Sequence, residues 1–185
     1  MSEFKMNLDG VTPSGVNQYI EPGEYRARIS GSSIESTEYG NAARFNFQIL
    51  EANDEGQHKG ARIDTLLYIP DDEMDKKTSK HEKAKTKKDW AGNFMGFMAS
   101  KWVSLMQATG LGEAIKDGVD ARAVAKKVTG VEMVIIVQDS KKRKPTDPVF
   151  SQVNGFLPAD STTDGDVALS DDTEEDDDSF DLDEL

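Results

Sequence analysis

Apolar and polar residues alternate at every second position in two early stretches of the chain. Tyr25, Ala27 and Ile29 alternate with Arg26 and Arg28, and Ala43, Phe45, Phe47 and Ile49 alternate with Arg44, Asn46 and Gln48. A period of two sends successive side chains to opposite faces of a strand, so both stretches predict strands with an apolar face and a polar, partly basic face. Pro22-Gly23 opens the first, and a Gly- and Ser-containing stretch from Ser30 to Asn41 connects the two. Asn53-Asp54-Glu55-Gly56 reads as a turn into a third strand, Arg62 to Ile69, which Pro70 ends. Residues Asp71 to Lys88 are polar and lysine-dense in their second half, which predicts a long loop. From Asp89 the period becomes helical: Trp90, Phe94, Phe97, Met98, Lys101, Trp102, Leu105 and Met106 recur at three and four, and Gly110 and Gly112 close the helix. A short helix fits Asp120 to Val128, with Asp120 as its cap and Gly130 beyond its end. Val131 to Val137 is apolar on both faces and predicts an interior strand. Val149 to Leu157 predicts a last strand, stopped by Pro158.

Three strands, a helical segment and two more strands make a mostly β chain with a helical insert, in the α+β class. The order is that of an oligonucleotide-binding (OB) barrel, five-stranded and partly open, with its helices between strands 3 and 4. Residues 1–20 form an N-terminal arm or an extra edge strand, 21–158 the OB-like domain, and 159–185 a separate tail.

Charge sharpens that last division. The chain carries 22 basic and 35 acidic residues, a net of −13; thirteen of the acids lie in the last 26 residues, which hold no Lys or Arg. The body before Asp160 is therefore formally neutral, and the tail holds the whole excess. A like-charged block with so few apolar residues cannot bury enough surface to offset the entropy of ordering, which predicts a disordered tail. Near its end lie Phe180, Leu182 and Leu185 among Asp176, Asp177, Asp178 and Asp181, a small apolar patch in an acidic field suited to a basic-rimmed pocket on a partner.

The absence of cysteine removes disulfides and thiolate metal sites and points to a reducing, cytoplasmic setting. No apolar run approaches the length of a bilayer span, so no membrane role is expected. In an OB-like barrel, nucleic acid crosses the face of strands 2 and 3 between the 1–2 and 4–5 loops. Arg26, Arg28, Arg44, Arg62 and Tyr68 fall on outward positions of the first three strands, and Lys141, Lys142, Arg143 and Lys144 fill the 4–5 loop. Cations along a groove release counterions from a phosphate backbone, and an outward aromatic gives a base a stacking surface. Lys85, Lys87 and Lys88 end the lysine-rich run, which either grips phosphate or solubilises a loop. Phe45, Phe47 and the Trp90–Met106 stripe read as core, although helix 89–109 carries enough apolar positions to offer a homodimer face.

Catalysis has little to work with. There are two histidines, His58 and His81, no Gly-rich phosphate loop and no nucleophile motif. Asp71, Asp72, Glu73 and Asp75 cluster in a polar stretch rather than on rigid elements, as a metal-dependent nuclease would require. The series Asp160, Thr162, Asp164, Gly165, Asp166 and Asp171 has calcium-loop spacing, but Thr stands third, Asp twelfth, and no helix precedes it. No enzyme activity, metal or cofactor is expected.

Ile20-Glu21-Pro22-Gly23-Glu24-Tyr25-Arg26-Ala27-Arg28-Ile29, then Tyr39-Gly40-Asn41 and Arg44 to Leu50, resembles the opening of phage-encoded single-stranded DNA-binding proteins of replication and recombination modules. Val128 to Val134 and Asn154-Gly155-Phe156-Leu157-Pro158 are similar to that group's last two strands, and the acidic tail resembles tails of bacterial and phage single-strand binders. In this chain Phe180 stands five residues before the terminal Leu185. The resemblance implies an OB-type fold, no cofactor, sequence-independent binding of single strands in DNA replication, recombination and repair, and tail-mediated recruitment of a polymerase, helicase or recombinase in the infected host's cytoplasm. The tail is expected to compete in cis for the groove until DNA displaces it. The alternative is a phage interaction or inhibitor protein that binds no DNA and whose tail mimics nucleic acid.

Overall fold

A computed structural model describes residues 19–51, 57–87, 89–117, 119–140, 146 and 148–161. Five strands, β1 (Gly23–Thr37), β2 (Gly40–Ile49), β3 (Arg62–Tyr68), β4 (Glu132–Asp139) and β5 (Ser151–Pro158), form one sheet in the order β3-β2-β1-β4-β5. Every hydrogen-bonded neighbour is antiparallel. Four helices lie between β3 and β4: α1 (Asp72–Thr78), α2 (Glu82–Thr86), α3 (Trp90–Ala108) and α4 (Ala121–Val128), with a 3-10 turn at Gly112–Asp117. The chain is therefore mostly β with a helical insert. The interior position of β4, between β1 and β5, matches its two apolar faces.

The strand pattern is translated directly into burial. Tyr25, Ala27 and Ile29 of β1 and Ala43, Phe45, Phe47 and Ile49 of β2 are all buried, joined by Met133, Ile135 and Val137 of β4 and Val153 and Phe156 of β5. Onto this face pack Trp102, Leu105, Met106 and Ala108 of α3 and Val124, Ala125 and Val128 of α4. The first half of α3 serves a second cluster, in which Trp90, Phe94 and Met98 meet Tyr39 and Met74 beyond the tip of the β1–β2 hairpin. One amphipathic helix thus bridges two cores. Ile20 is fully buried in the main core, and its backbone N–H and C=O both engage the Ser151 hydroxyl, so the chain is docked before β1 begins.

Three expectations need correction. The Ser30–Asn41 stretch is not a connection: β1 runs on to Thr37 and turns through Glu38-Tyr39 into β2. Ser30 is an extra residue between the pairs Ile29↔Phe47 and Gly31↔Asn46, a β-bulge. The Ser30 hydroxyl donates to Asn46 O across the bulge at 3.1 Å, and the Ser32 hydroxyl donates to Ala125 O of α4 at 2.9 Å. Asp71 to Lys88 is not one long loop. Asp71 caps α1, its carboxylate accepting from the N–H groups of Glu73 and Met74 at 3.0 and 2.9 Å, and Met74 is fully buried. One anchoring methionine is too little for a hydrophobic period to reveal.

The barrel does not close. Among the described residues β3 and β5 are the sheet edges, with no hydrogen-bonded ladder between them. Helix α3 is wedged along this seam. Trp102 Nε1 donates to Tyr68 O at the end of β3, 2.9 Å away. One residue earlier, Lys101 Nζ donates to the backbone and side-chain oxygens of Asn154 in β5. Asn154 is the extra residue where the β4–β5 register shifts, so its carbonyl lies at a bulge and the lysine satisfies it.

Burial holds the Lys101 ammonium below the usual lysine range, and no carboxylate pairs with it among the described residues. In the unfolded chain the same group titrates at its ordinary value. Between the lowered folded value and the ordinary one, the unfolded state binds more protons, so stability rises with pH through that alkaline window. Lys101→Met keeps the stem and removes the proton linkage. Thermal denaturation across that window is expected to show the wild type gaining stability relative to Lys101→Met as pH rises; parallel curves would show that the amine is not desolvated.

Candidate nucleic-acid interface

The register gives the opposite face of the sheet a definite composition. Paired residues in an antiparallel ladder point the same way. Arg28 pairs with Gln48 of β2 and Glu132 of β4, and Gln48 pairs in turn with Arg62 of β3. Arg26 pairs with Val134, Ser33 with Arg44, and Ala42 with Tyr68. Arg26, Arg28, Arg44, Arg62 and Tyr68 therefore share one face, opposite the core. The bulge at Ser30 bears on the second half of β1: the extra residue turns Ser33 and Glu35, rather than Ser32 and Ile34, to β2's outward positions, which brings Glu35 beside Arg44.

This face is not a bare cationic surface. Arg26 reaches Glu51 and Glu132, both at 3.3 Å, and Arg28 reaches the other oxygen of Glu132 at 2.5 Å. Arg44 is forked between Glu35, at 2.8 Å, and Asp64. The hydrogen bond from Arg28 is the main reason that the Glu132 carboxyl lies below the usual carboxylate range, and the bond to Glu35 raises the Arg44 guanidinium further. Arg62 is exposed and makes no ion pair among the described residues. The side chains of Arg26, Arg28 and Arg44 stay 44, 48 and 39% exposed, so all remain within reach of a ligand.

Tyr68 differs from its expected role. It faces outward by register, but its ring packs on Phe94 at 5.5 Å and edge-on to Tyr39 at 5.9 Å, and burial pushes its phenol up. The second cluster has claimed it, so it is no free stacking surface. Lys85 and Lys87 are exposed, on α2 and at its end, in the helical part beside α3 rather than on the sheet. Lys88, Lys141, Lys142, Arg143 and Lys144 lie outside the described residues, as do Asp176, Asp177, Asp178, Phe180, Asp181, Leu182 and Leu185 and all but Asp160 of the calcium-like series.

Two of the four clustered acids Asp71, Asp72, Glu73 and Asp75 have structural work. Asp71 is a helix cap, and Glu73 accepts from Asn41 at 2.9 Å and pairs with Lys77 at 3.0 Å. Among the described residues, no group of three or more His, Asp or Glu is placed to hold a metal, and no helix is long and apolar enough to cross a membrane.

Two features escaped the sequence. The carboxylates that partner the arginines were invisible because Glu132 lies 104 residues from Arg28, although the spacing of Arg62 and Asp64 already placed an acid on the basic face. Phe150, expected inside the last strand, precedes β5 and is 52% exposed, the most open large apolar side chain among the described residues. Its backbone is fixed by reciprocal bonds with Ser140: Phe150 N–H donates to Ser140 Oγ at 3.0 Å and Ser140 N–H to Phe150 O at 2.7 Å. No protein-family model matches this chain, and no curated protein sequence matches it either.

Proposed function

We propose that this chain is a sequence-independent single-stranded DNA-binding protein, of the kind phages use in replication and recombination, without enzymatic activity or cofactor. The observation that carries the reading is the gathering of Arg26, Arg28, Arg44 and Arg62, from three strands, onto one solvent-facing side of the sheet. Such a surface tracks a phosphate backbone and reads no base edges. An open five-stranded sheet with helices between β3 and β4 suits an OB-like barrel parted at its β3–β5 seam. Phe150, rigidly based at the start of β5, replaces Tyr68 as the aromatic available for stacking. The acidic tail competes for the arginine face and recruits a polymerase, helicase or recombinase once DNA frees it, in the cytoplasm of an infected bacterium.

The internal pairing of the same arginines favours a second reading, an interaction or inhibitor protein that binds no DNA and whose tail mimics it. Anisotropy of labelled oligo-dT separates the two. The full chain is expected to bind oligo-dT and oligo-dC alike, and more weakly as salt rises. Truncation after Ala159 is expected to tighten binding at low salt. Replacing Arg26, Arg28, Arg44 and Arg62 together by Ala should flatten the logarithmic salt slope by up to about 0.7 per arginine. No binding by the full chain or the truncation would give the tail-mimic reading the field.

A further inference from the structure

Three of the four arginines on this face are already held by carboxylates, and the geometry of that holding is specific. Glu132 sits with one oxygen on Arg28 and the other on Arg26, bridging two guanidiniums of one strand. Arg44 in turn is bracketed by Glu35 of its neighbour strand β1 and Asp64 of β3. An anion bridging two guanidiniums, or clasped by one, is what a backbone phosphate would become on binding. These pairs are not a requirement of the fold. Their acids are 32, 37 and 48% exposed, and ion pairs so open to water contribute little to stability.

We infer that Glu132, with Glu35 and Asp64 in the same part for Arg44, is a built-in phosphate surrogate that an incoming nucleic-acid backbone must displace, and so sets the affinity of this face for polyanions. The inference rests on the single-strand reading of the same face. Its physical content is an exchange. A phosphate that takes Arg28 from Glu132 releases a counterion from the DNA, but the freed carboxylate then attracts a cation from solution. The two ion movements offset each other, so binding is weaker and less salt-dependent than the arginine count implies. Arg62, which makes no such pair among the described residues, is the first contact, and the exchange spreads from it through the row Arg62, Gln48, Arg28. The guard would also keep a neutral body from adhering to unrelated polyanions before the correct one offers several phosphates in succession.

Glu132→Gln tests this, because the amide keeps the shape and loses the charge. Glu24→Gln is the control. Glu24 is an exposed acid of β1, on the same face as Arg26 and Arg28, paired in the ladder with Ile136 of β4, and makes no ion pair among the described residues. Both variants change the net charge equally, but only the first releases arginines. Each full-length protein, checked for an unchanged Tm, is titrated into labelled oligo-dT and into heparin over a range of salt. Glu132→Gln is expected to bind tighter than Glu24→Gln by about fivefold at roughly 0.1 M salt, with a slope steeper by about 0.7. Equal affinities of the two variants for oligo-dT would overturn the surrogate role. So would weaker binding by Glu132→Gln, which would mean that the carboxylate merely positions the arginines. If no form binds oligo-dT, the single-strand reading fails and heparin decides the rest: a gain by Glu132→Gln alone upholds the surrogate, and no difference overturns it.

Discussion

Phe47→Ala is expected to cost about 3–5 kcal/mol of folding stability, the usual toll for emptying the space of a core aromatic. Phe47 is fully buried, pairs across the sheet with Ile29 on one side and Ile63 on the other, and stacks on Phe156 with ring centres 5.9 Å apart. Its ring therefore reaches through the middle of the core from β2 to β5, strands separated in the sheet by β1 and β4. Collapse around the vacated volume would need movement of strands fixed by ladders on both sides, so the cavity should persist. Domains are commonly stable by only about 5–15 kcal/mol, so this one change removes a large share. Urea denaturation followed by tryptophan fluorescence measures it, since Trp102 packs against neighbouring Phe45 in the same core. A loss below about 1 kcal/mol, the range of surface changes, would contradict this packing.

Gly40→Ala is the second large effect. Gly40 closes the β1–β2 turn opposite Thr37 with φ at +133°, a conformation that L side chains rarely adopt. A Cβ there would also stand 3.1 Å from the Cα of Met74, on the backbone of α1. Backbone strain of this kind costs on the order of 1–3 kcal/mol, and the contact adds to it because a backbone atom cannot rotate away. Refolding the turn to relieve φ would shift the Thr37↔Gly40 pair; relieving the contact would lift α1 off the hairpin. The expected signature is a loss of about 2 kcal/mol or more, with earlier hydrogen exchange in α1 than in β2. Uniform destabilisation without a selective effect on α1 would show that the helix is not seated on this glycine.

How far the sequence was legible follows from the range of the interactions. The alternation in β1 and β2 and the stripe from Trp90 to Met106 report local geometry, and their residues are buried, apart from Phe97 and Lys101, which are half-buried. Asp120 and Gly130 marked the ends of α4 for the same reason. What failed was set by contacts far along the chain. Ser30 to Thr37 has too little apolar character to read as strand, and becomes one because β2 lies alongside and α4 supplies a partner for Ser32. α1 is held by one buried methionine and a cap rather than by a stripe. The shared face of the arginines was only half visible: each outward position could be assigned within its own strand, but whether strands agreed depended on register. Tyr68 was lost to aromatic neighbours supplied by a hairpin tip and a helix.

The position of β1 has a consequence for how the chain acquires its structure. This strand takes part in the most local pairing of the sheet and in one of the most distant. With β2 it forms a hairpin whose turn is two residues long, an event of microseconds. With β4 it pairs residues from 104 (Arg28↔Glu132) to 114 (Gly23↔Val137) positions apart, so the second ladder waits for the closure of a long intervening chain. In that interval one side of the β1–β2 hairpin is an unsatisfied strand edge, the template on which nascent chains join one another. The first half of β1 meets that hazard with Glu24, Arg26 and Arg28, charges at alternate positions along the waiting edge. Arg26 and Arg28, half of the arginine set of the finished face, thus also stand along the edge that waits for β4, where charge disfavours pairing with another copy.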